Sequence, residues 1–389
     1  MKKFLSFLLI TTILFPYSVF ALDSGNNTDS NLIENAVSGI LMEASTGKIL
    51  FEKEKDKEVA VASMTKMVAQ IIILENIEKG NIKWDDVITV SKNAADMGGS
   101  QIYISQGEKI TIRDLMKGIS MASGNDATVQ MAEVIAGSEE KFVELMNKKV
   151  KELGLKHTQF KNCTGLDEDG HYSSAYDMAI IAKELVMNHP TILEFSSVYE
   201  DYLREDTDNK FWLVNTNKLV RYYEGADGLK TGHTDNAKYC LAATAKKNDM
   251  RLIAIVLGEE NSKTRNSEAM GLLDYGFNTI KMNVLKKSGS KIKTISFDKA
   301  DKDNVDVVLK DDLGVIEDKA AGSHKYTYKV KINSVNLPIK KGQVVGKIDV
   351  LENKRVVSTG KLISNDNVKS MSYFKLILNG FKETISGVM

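Results

Sequence analysis

Three short motifs of this sequence hold the side chains that could catalyse acyl transfer. They occur in the order Ser63-Met64-Thr65-Lys66, Ser123-Gly124-Asn125 and Lys230-Thr231-Gly232. Together they supply a hydroxyl nucleophile, a lysine, a second hydroxyl, an amide and another cation. An acyl-transfer enzyme that works without a histidine base needs this set of groups. Each motif is common by itself, so the ordered set of three indicates the chemistry.

The first motif places a lysine three residues after a serine at the start of a helical pattern that Gly80 ends. Residues three apart share a helix face, so the Lys66 amine can reach the Ser63 hydroxyl. The helix N-terminus favours negative charge on that oxygen. To accept a proton near neutral pH, Lys66 needs a lowered pKa, which burial and a nearby cation such as Lys230 would produce. The alternative is an ordinary N-cap serine beside a solvated lysine.

The second motif lies between two helical stretches, 111–122 and 126–135. Its residue types also suit a plain tight turn, which is the alternative interpretation. As part of a site, Ser123 would relay protons between Lys66 and the leaving group. Asn125 would hydrogen-bond an amide of the substrate.

The third motif precedes a predicted strand at 239–245. A strand edge with a cation, a hydroxyl and a small residue can bind a substrate carboxylate, and we assign Lys230, Thr231 and Gly232 to that task. A lysine-protected edge strand is the alternative. His233 follows directly and could be interpreted as the base of a catalytic triad. The sequence has no Gly-x-Ser-x-Gly elbow, and Lys66 already fills the role of the base. We therefore expect the backbone N–H of His233 to form an oxyanion hole with that of Ser63.

With these motifs in place, the chain resembles the D-alanyl-D-alanine carboxypeptidases of the low-molecular-mass penicillin-binding protein family. The resemblance covers residues 33 to 282 and includes an opening hairpin at 38–50, the segments 165–177 and 215–219, and the strand 251–258. It implies an α+β fold of the β-lactamase/transpeptidase type, in which an antiparallel sheet carries helices on both faces beside a helical subdomain.

The resemblance also implies roles for individual residues. Ser63 would form the acyl-enzyme, Lys66 would be the general base and Ser123 the proton relay. The substrate, a peptidoglycan stem peptide ending in D-Ala-D-Ala, would be held by a set of binding residues, namely Asn125, Lys230, Thr231, Gly232, His233 and Arg265. β-Lactams would acylate the same serine as covalent inhibitors. Arg265 could instead be an exposed residue of the helix 263–275. The sequence departs from the family pattern at Lys238, where the family usually has glycine, so the shape or charge of the strand face there would differ.

The chain begins like an exported protein. Residues 1–21 form a secretory signal with a basic start, an apolar core and a small residue at the cleavage site. A polar segment at 22–32, the catalytic domain at 33–282 and an all-β domain at 285–365 follow. Residues 368–389 have apolar side chains at intervals of three and four, which predicts an amphipathic helix. That helix either lies on the outer surface of the cytoplasmic membrane or packs on the β domain.

Composition narrows the function classes. Lys plus Arg and Asp plus Glu both number 52, so the net charge of +0 does not indicate nucleic-acid binding. The two cysteines lack metal or disulfide-framework spacing, and no His-Glu-x-x-His motif is present. We therefore expect neither a metal nor another cofactor.

Three functions are compatible with the motifs. A carboxypeptidase is favoured, and cleavage of cross-links on the same scaffold is left open. A β-lactamase shares the motifs, but no Glu-x-x-Leu-Asn stretch follows Ser123 to activate a deacylating water, and a terminal β domain is not expected of it. A wall-binding or penicillin-sensing module without turnover is the third.

Overall fold

A computed structural model describes residues 32–205, 207–296, 300–302, 304–334 and 336–371. The predicted signal segment 1–21, residues 22–31 and most of the predicted terminal helix 368–389 lie outside these ranges. The strands of the described residues are β1 (Ser38–Glu43), β2 (Ile49–Lys53), β3 (Val87–Thr89), β4 (Lys109–Thr111), β5 (Glu200–Leu203), β6 (Phe211–Val214), β7 (Ala226–Thr234), β8 (Lys238–Lys247), β9 (Met250–Glu259), β10 (Ile280–Lys286), β11 (Lys291–Ile295), β12 (Val305–Leu309), β13 (Leu313–Asp318), β14 (Thr327–Ile332), β15 (Val344–Glu352) and β16 (Arg355–Ser364). The α-helices of the same ranges are α1 (Lys66–Glu78), α2 (Lys92–Ala95), α3 (Ile112–Lys117), α4 (Asn125–Ala136), α5 (Glu139–Glu152), α6 (Ala175–Asn188), α7 (Leu193–Ser196), α8 (Leu219–Tyr222) and α9 (Ser262–Thr279).

The central sheet joins the beginning of the first domain, predicted at 33–282, to its end. Its strand order is β2-β1-β9-β8-β7, and every neighbouring pair is antiparallel. In β9, Ile253 and Ile255 pack on the large helical side, whereas Leu252 and Ala254 pack on the side of α9. The alternation in side-chain direction thus supplies apolar groups to both faces, so helices cover both.

The helical part of the first domain is built around α1. This helix is buried along its first nine residues, from Lys66 to Leu74, and therefore has no polar face there. A short 3-10 turn at Ala62–Thr65 leads into it and presents Ser63 toward the sheet edge β7. Helices α4, α5 and α6 pack against α1. The turn that carries Ser63 is thereby fixed between the helical part and the sheet.

The chain ends, within the described residues, in an all-β domain. A five-stranded antiparallel sheet has the order β11-β12-β16-β15-β14, and β10 pairs with β13. Its apolar core includes Val307, Val315 and Leu362. Strand β10 begins at residue 280, before the predicted start of this domain at 285, because α9 runs directly into it. The predicted fold class, a mixed helix-and-sheet domain followed by an all-β domain, is confirmed.

None of the helices within the described ranges is long and apolar enough to cross a membrane.

Candidate active site

Ser63 and Lys66 are in hydrogen-bond contact. The Lys66 Nζ lies 2.7 Å from the Ser63 Oγ, as the spacing of three residues at a helix start predicts. The 3-10 turn around Ser63 holds this geometry, and Ala62 has a positive φ of 48° within it. The amine is fully buried, while Ser63 lines an open cavity. A substrate carbonyl can therefore reach the hydroxyl without exposing the amine to water.

The other contacts of Lys66 fix where its lone pair points. Its Nζ also donates to the Asn125 Oδ1 at 2.7 Å and to the Thr164 carbonyl at 2.6 Å. The Asn125 amide cannot be flipped, because its Nδ2 donates to the Gly98 carbonyl at 2.8 Å. Both neighbours of the amine can only accept hydrogen bonds. A neutral amine must spend its two N–H groups on them, so its lone pair faces the Ser63 hydroxyl.

Burial favours the neutral form of the Lys66 amine near physiological pH. It lowers the pKa of Lys66 from 10.5 to about 7, against the opposing influence of Cys163 and Asp126. The positive charges of the site act mainly on Lys230, whose pKa is lowered well below 10.5 by burial and then by Lys66 and Arg265. We expected a neighbouring cation to help lower the pKa of Lys66. Cations have this effect on the pKa of Lys230 instead, whereas burial is the leading cause of the lowered pKa of Lys66.

Ser123 combines an unusual backbone with an unpaired hydroxyl. It ends a π-helical turn at Gly118–Ala122 in the left-handed conformation, with φ at 63° and ψ at 30°. Its side chain is buried, and its Oγ has no hydrogen-bond partner among the described residues. A buried hydroxyl without a partner is costly unless something else binds it. Ser123 also lines the cavity beside Ser63, so a substrate atom can satisfy it.

The third motif forms the sheet edge opposite the nucleophile turn. On β7, the buried Lys230 Nζ donates to the Thr231 carbonyl at 2.9 Å, and the Thr231 hydroxyl donates to the Thr216 Oγ1 at 2.7 Å. Gly232 lies so close to the turn that a Cβ there would be 2.6 Å from the Val61 carbonyl oxygen. Glycine at this position therefore permits the approach of the strand to Ser63.

Arg265 and His233 complete the cavity. Arg265, on the first turn of α9, is buried rather than exposed, and its Nη1 lies 3.4 Å from the Cys240 carbonyl. The His233 ring packs on Tyr239 with 4.1 Å between ring centroids and makes no catalytic contact with Lys66 or Ser63 among the described residues. The cavity has a volume of about 430 Å³, and its lining includes Ser63, Ser123, Thr216, Thr231, His233 and Arg265.

Comparison with known proteins agrees with this geometry. Residues 26–261 match the model of the D-alanyl-D-alanine carboxypeptidase family, and residues 281–370 match that of the penicillin-binding protein 5 C-terminal domain. The chain belongs to the D-alanyl-D-alanine carboxypeptidase family. It is therefore a serine-type peptidase, as the motifs predict.

Individual relatives cover most of the chain. The D-alanyl-D-alanine carboxypeptidase DacF of Bacillus subtilis is 43% identical over 97% of this chain and 97% of its own length. Among solved structures, penicillin-binding protein 5 of Haemophilus influenzae has a TM-score of 0.68 and 31% identity, covering 86% of this chain and 98% of that one. The ampicillin-bound penicillin-binding protein D2 of Listeria monocytogenes has a TM-score of 0.57 and 30% identity, covering 64% of this chain and 99% of that one.

Sequence reasoning missed the Thr164 carbonyl as part of this carboxypeptidase site. The Asn162 Oδ1 holds the turn that carries it, accepting from the Thr164 N at 3.3 Å, the Thr164 Oγ1 at 3.1 Å and the Gly165 N at 2.7 Å. A Cβ on Gly165 would lie 2.0 Å from the Ala62 carbonyl oxygen, so the turn abuts the nucleophile. An asparagine followed three residues later by glycine is a turn signal that could have indicated it.

His171 has a structural position near this turn. The Lys161 backbone N–H donates to its Nδ1 at 3.2 Å, so its Nε2 carries the proton and donates to the Thr65 Oγ1 at 2.8 Å. Burial lowers the pKa of His171 to about 4. The neutral ring thus ties the segment 161–171 to the start of α1.

Within the described residues, no group of three or more His, Cys, Asp or Glu side chains could hold a metal ion.

Proposed function

We propose that this chain removes the terminal D-alanine from peptidoglycan stem peptides through an acyl-enzyme on Ser63. The observation that carries the proposal is the arrangement of the Lys66 amine, whose two obligate acceptors leave its lone pair to the Ser63 hydroxyl. A neutral amine at 2.7 Å from an alcohol is in position to act as its general base.

In the acylation step, Lys66 takes the proton of Ser63 as the serine oxygen attacks the carbonyl of the penultimate D-alanine. The backbone N–H groups of Ser63 and His233 would stabilise the oxyanion that forms. Collapse of the tetrahedral intermediate breaks the C–N bond. The departing amine then receives a proton through Ser123, whose unpaired buried hydroxyl supports this relay.

The substrate would be held at both ends of the reacting bond. Thr231 and Arg265 line the cavity, and the buried Lys230 lies close enough to Arg265 for that charge to lower its pKa. The two cations and the Thr231 hydroxyl would suit the terminal carboxylate. A bound carboxylate raises the pKa of Lys230 and restores its positive charge. Asn125 would hydrogen-bond an amide on the acyl side. Hydrolysis of the ester by water, with Lys66 again as the base, returns the free serine and the shortened peptide.

β-Lactams would acylate the same serine. The structure of the Listeria monocytogenes relative contains ampicillin, and its fold matches the catalytic part of this chain. The alternative of a β-lactamase requires rapid hydrolysis of the penicilloyl ester. The sequence lacks the Glu-x-x-Leu-Asn stretch that would activate a water for that purpose, so we expect a long-lived adduct.

Mass spectrometry of the intact protein tests the proposal. After incubation with a penicillin, the wild type should carry one covalent adduct, and Ser63→Ala should carry none. A parallel assay of D-alanine release from a stem pentapeptide should detect the product with the wild type alone. An adduct on Ser63→Ala, or adduct formation without any D-alanine release, would contradict the proposed reaction.

We also infer that the protein acts at the outer face of the cytoplasmic membrane. The signal-like segment 1–21 supports export, and the apolar spacing within 368–389 supports an amphipathic anchor. The support from both segments comes from their sequences, because only residues 368–371 of them lie within the described residues.

A further inference from the structure

Tyr103 presents an exposed ring from a backbone conformation that large side chains rarely adopt. The residue is 64% exposed, and its φ of 56° lies in the left-handed region. A bulky residue with a positive φ is uncommon, because its Cβ crowds a neighbouring carbonyl oxygen. Such residues persist only where their surroundings hold them, and they concentrate at ligand-binding and catalytic sites. The conformation of Tyr103 therefore calls for a functional explanation.

Hydrogen bonds hold the backbone on both sides of Tyr103. The Asp126 carboxylate accepts from the Ile102 N–H at 3.0 Å and from the Ile104 N–H at 3.3 Å. The Arg204 guanidinium donates to the carbonyl oxygens of Ile102 and Tyr103, the second at 3.3 Å. These bonds fix the main chain and leave the ring exposed. Four hydrogen bonds thus present one aromatic ring to the solvent.

The Tyr103 ring lines a cavity separate from the one that contains Ser63. This second cavity has a volume of about 650 Å³, within the range of small-molecule sites. Phe211 also lines it, and its ring centroid lies 5.7 Å from that of Tyr103 with the two planes at 68°. This edge-to-face contact is a favourable aromatic geometry, so it keeps the Tyr103 ring in place.

The charged side chains of the second cavity already have partners. The Arg204 Nε lies 3.7 Å from the Glu108 Oε1, and the Lys210 Nζ lies 3.4 Å from the Glu205 Oε1. The Lys109 Nζ donates to a hydroxyl on strand β3. Paired charges attract a charged ligand only weakly, so the cavity favours a neutral ligand.

The side chains of the cavity that remain free are neutral and polar. Those of Ser105, Gln106 and Asn209 make no hydrogen bond among the described residues. Hydroxyl and amide groups can both donate and accept hydrogen bonds. A sugar ring offers hydroxyls to such groups and an apolar C–H face to an aromatic ring. The exposed ring of Tyr103 beside these three side chains therefore fits a carbohydrate.

Two segments join this cavity to the catalytic cavity. Ser100 and Val214 line the catalytic cavity, whereas Tyr103 and Phe211, each three residues away along the chain, line the second one. Three residues span at most about 10 Å. The Asn125 backbone N–H donates to the Ser100 carbonyl at 2.7 Å. The second cavity thus adjoins the catalytic cavity on the side where Asn125 lies.

The separation of the cavities matches the length of a stem peptide. Under the proposed function, on which this inference rests, Asn125 binds an amide on the acyl side of the reacting bond. In a pentapeptide the acyl residue is the fourth, so three residues separate it from the sugar that carries the stem. These three residues reach about 10 Å when extended. The sugar of such a stem would therefore lie beside Tyr103.

We propose that Tyr103, Ser105, Gln106, Asn209 and Phe211 form a sugar subsite, which binds the amino sugar that carries the stem peptide. Tyr103 stacks on the C–H face of the sugar, and the three polar side chains bind its hydroxyl and acetamido groups. The subsite strengthens the binding of stems that are attached to glycan over that of free peptides. It lowers KM and leaves the chemical step unchanged.

The test compares two substrates and three variants of the full chain. The substrates are a free stem pentapeptide and the same pentapeptide attached to its disaccharide. Tyr103→Gly removes the ring with a residue that suits the left-handed backbone, and Tyr103→Phe keeps the ring. The matched control is Tyr222→Ala, at a tyrosine that is 69% exposed on α8 and lines neither cavity among the described residues.

The wild type should release D-alanine from both substrates, with a KM about fivefold lower for the disaccharide-pentapeptide, a gain of the size of one aromatic contact. Tyr103→Gly should lose this gain, while its kcat/KM on the free pentapeptide stays within about twofold of the wild type, since no peptide contact is removed. Tyr103→Phe and Tyr222→Ala should keep the gain. Equal KM values of the wild type for the two substrates, or equal losses on both in Tyr103→Gly, would overturn the sugar subsite.

A binding measurement without turnover separates the subsite from the proposed function. Saturation-transfer NMR uses the disaccharide of N-acetylglucosamine and N-acetylmuramic acid without its peptide. Sugar-proton signals should appear with the wild type and Tyr222→Ala and fall about fivefold with Tyr103→Gly. Equal signals with Tyr103→Gly and the wild type, or none with the wild type, would overturn the subsite even if D-alanine is released. Intact sugar signals from a protein that releases no D-alanine would contradict the proposed function and still support the subsite.

Discussion

Two buried lysines, Lys66 and Lys230, would need different protonation states in the proposed reaction. Lys66 would have to be neutral to accept the Ser63 proton, whereas Lys230 would have to be charged to bind a carboxylate. Burial lowers the pKa of both, and the charges of Lys66 and Arg265 lower that of Lys230 further. A substrate carboxylate beside Lys230 favours its charged form. Substrate binding therefore completes the division of roles.

The pH dependence of acylation follows from the Lys66 amine. Because its pKa is about 7, the neutral fraction and the acylation rate should rise about tenfold per pH unit below 7 and level off above it. Acylation by a chromogenic penicillin between pH 5 and 9 measures this profile. Lys66→Arg, which keeps the charge and cannot lose it, should abolish acylation throughout. A rate that is flat across this range would contradict the assignment.

At the scale of elements, strand β7 and the loop at 162–165 clamp the nucleophile turn from two sides. A Cβ at Gly232 would meet the Val61 carbonyl at 2.6 Å and the Ala62 Cβ at 3.1 Å, whereas one at Gly165 would meet the Ala62 carbonyl at 2.0 Å. The two shortest of these contacts are to backbone carbonyl oxygens, which cannot swing away as a flexible side chain can. The position of Ser63 thus depends on two residues that lack side chains.

Substitution of Gly232 by alanine should displace the turn and slow acylation. A shift of roughly 1 Å in a reacting group can cost about a hundredfold in rate, and we expect a loss of that order for Gly232→Ala. Penicillin acylation kinetics, with circular dichroism to verify folding, give the measurement. Gly271→Ala in α9 is the matched control, since its Cβ would have nothing within 4 Å. Equal rates for the two variants would refute the clamp.

The sequence predicts the elements better than it predicts their junctions. The continuous apolar run of β9 and the spacing of Ser63 and Lys66 are local patterns, and both the buried central strand and the contact follow from them. The Thr164 carbonyl is a backbone atom brought to Lys66 from about a hundred residues away, so no side-chain pattern marks it. Lys238 has a φ of 54°, a region that glycine occupies without strain, so its backbone suits the glycine that the family resemblance implies at this position.

At the scale of the whole molecule, His171 makes stability depend on pH. Its pKa falls from 6.5 to about 4 on folding because it is buried. Between these values the unfolded chain binds a proton that the native protein does not, so stability is lost as the pH falls from 6.5 to 4. The shift corresponds to about 3 kcal/mol.

Urea unfolding at pH 7, 5.5 and 4 tests this contribution. The free energy of unfolding should decline toward low pH in the wild type, and the decline should be smaller by about 3 kcal/mol in His171→Gln. His157→Gln, at a partly exposed histidine, is the control and should retain the wild-type decline. If His171→Gln and the wild type lose stability in parallel, the histidine is not the group that titrates.

The proposed membrane location depends on the terminal segment 368–389. The apolar positions Phe374, Leu378 and Phe381 recur on one face of a predicted helix, and lysines lie on the other side. Truncation is best made after Met371, because Ser370 still pairs with Ala300 of the β domain. The shortened protein should no longer sediment with vesicles that contain phosphatidylglycerol, while D-alanine release from a soluble pentapeptide stays at the wild-type rate.

Replacing Phe374 and Phe381 by serine in the full chain should have the same effect, since burial of the apolar face supplies the binding energy. Continued sedimentation of the truncated protein would show that another surface holds it to the membrane.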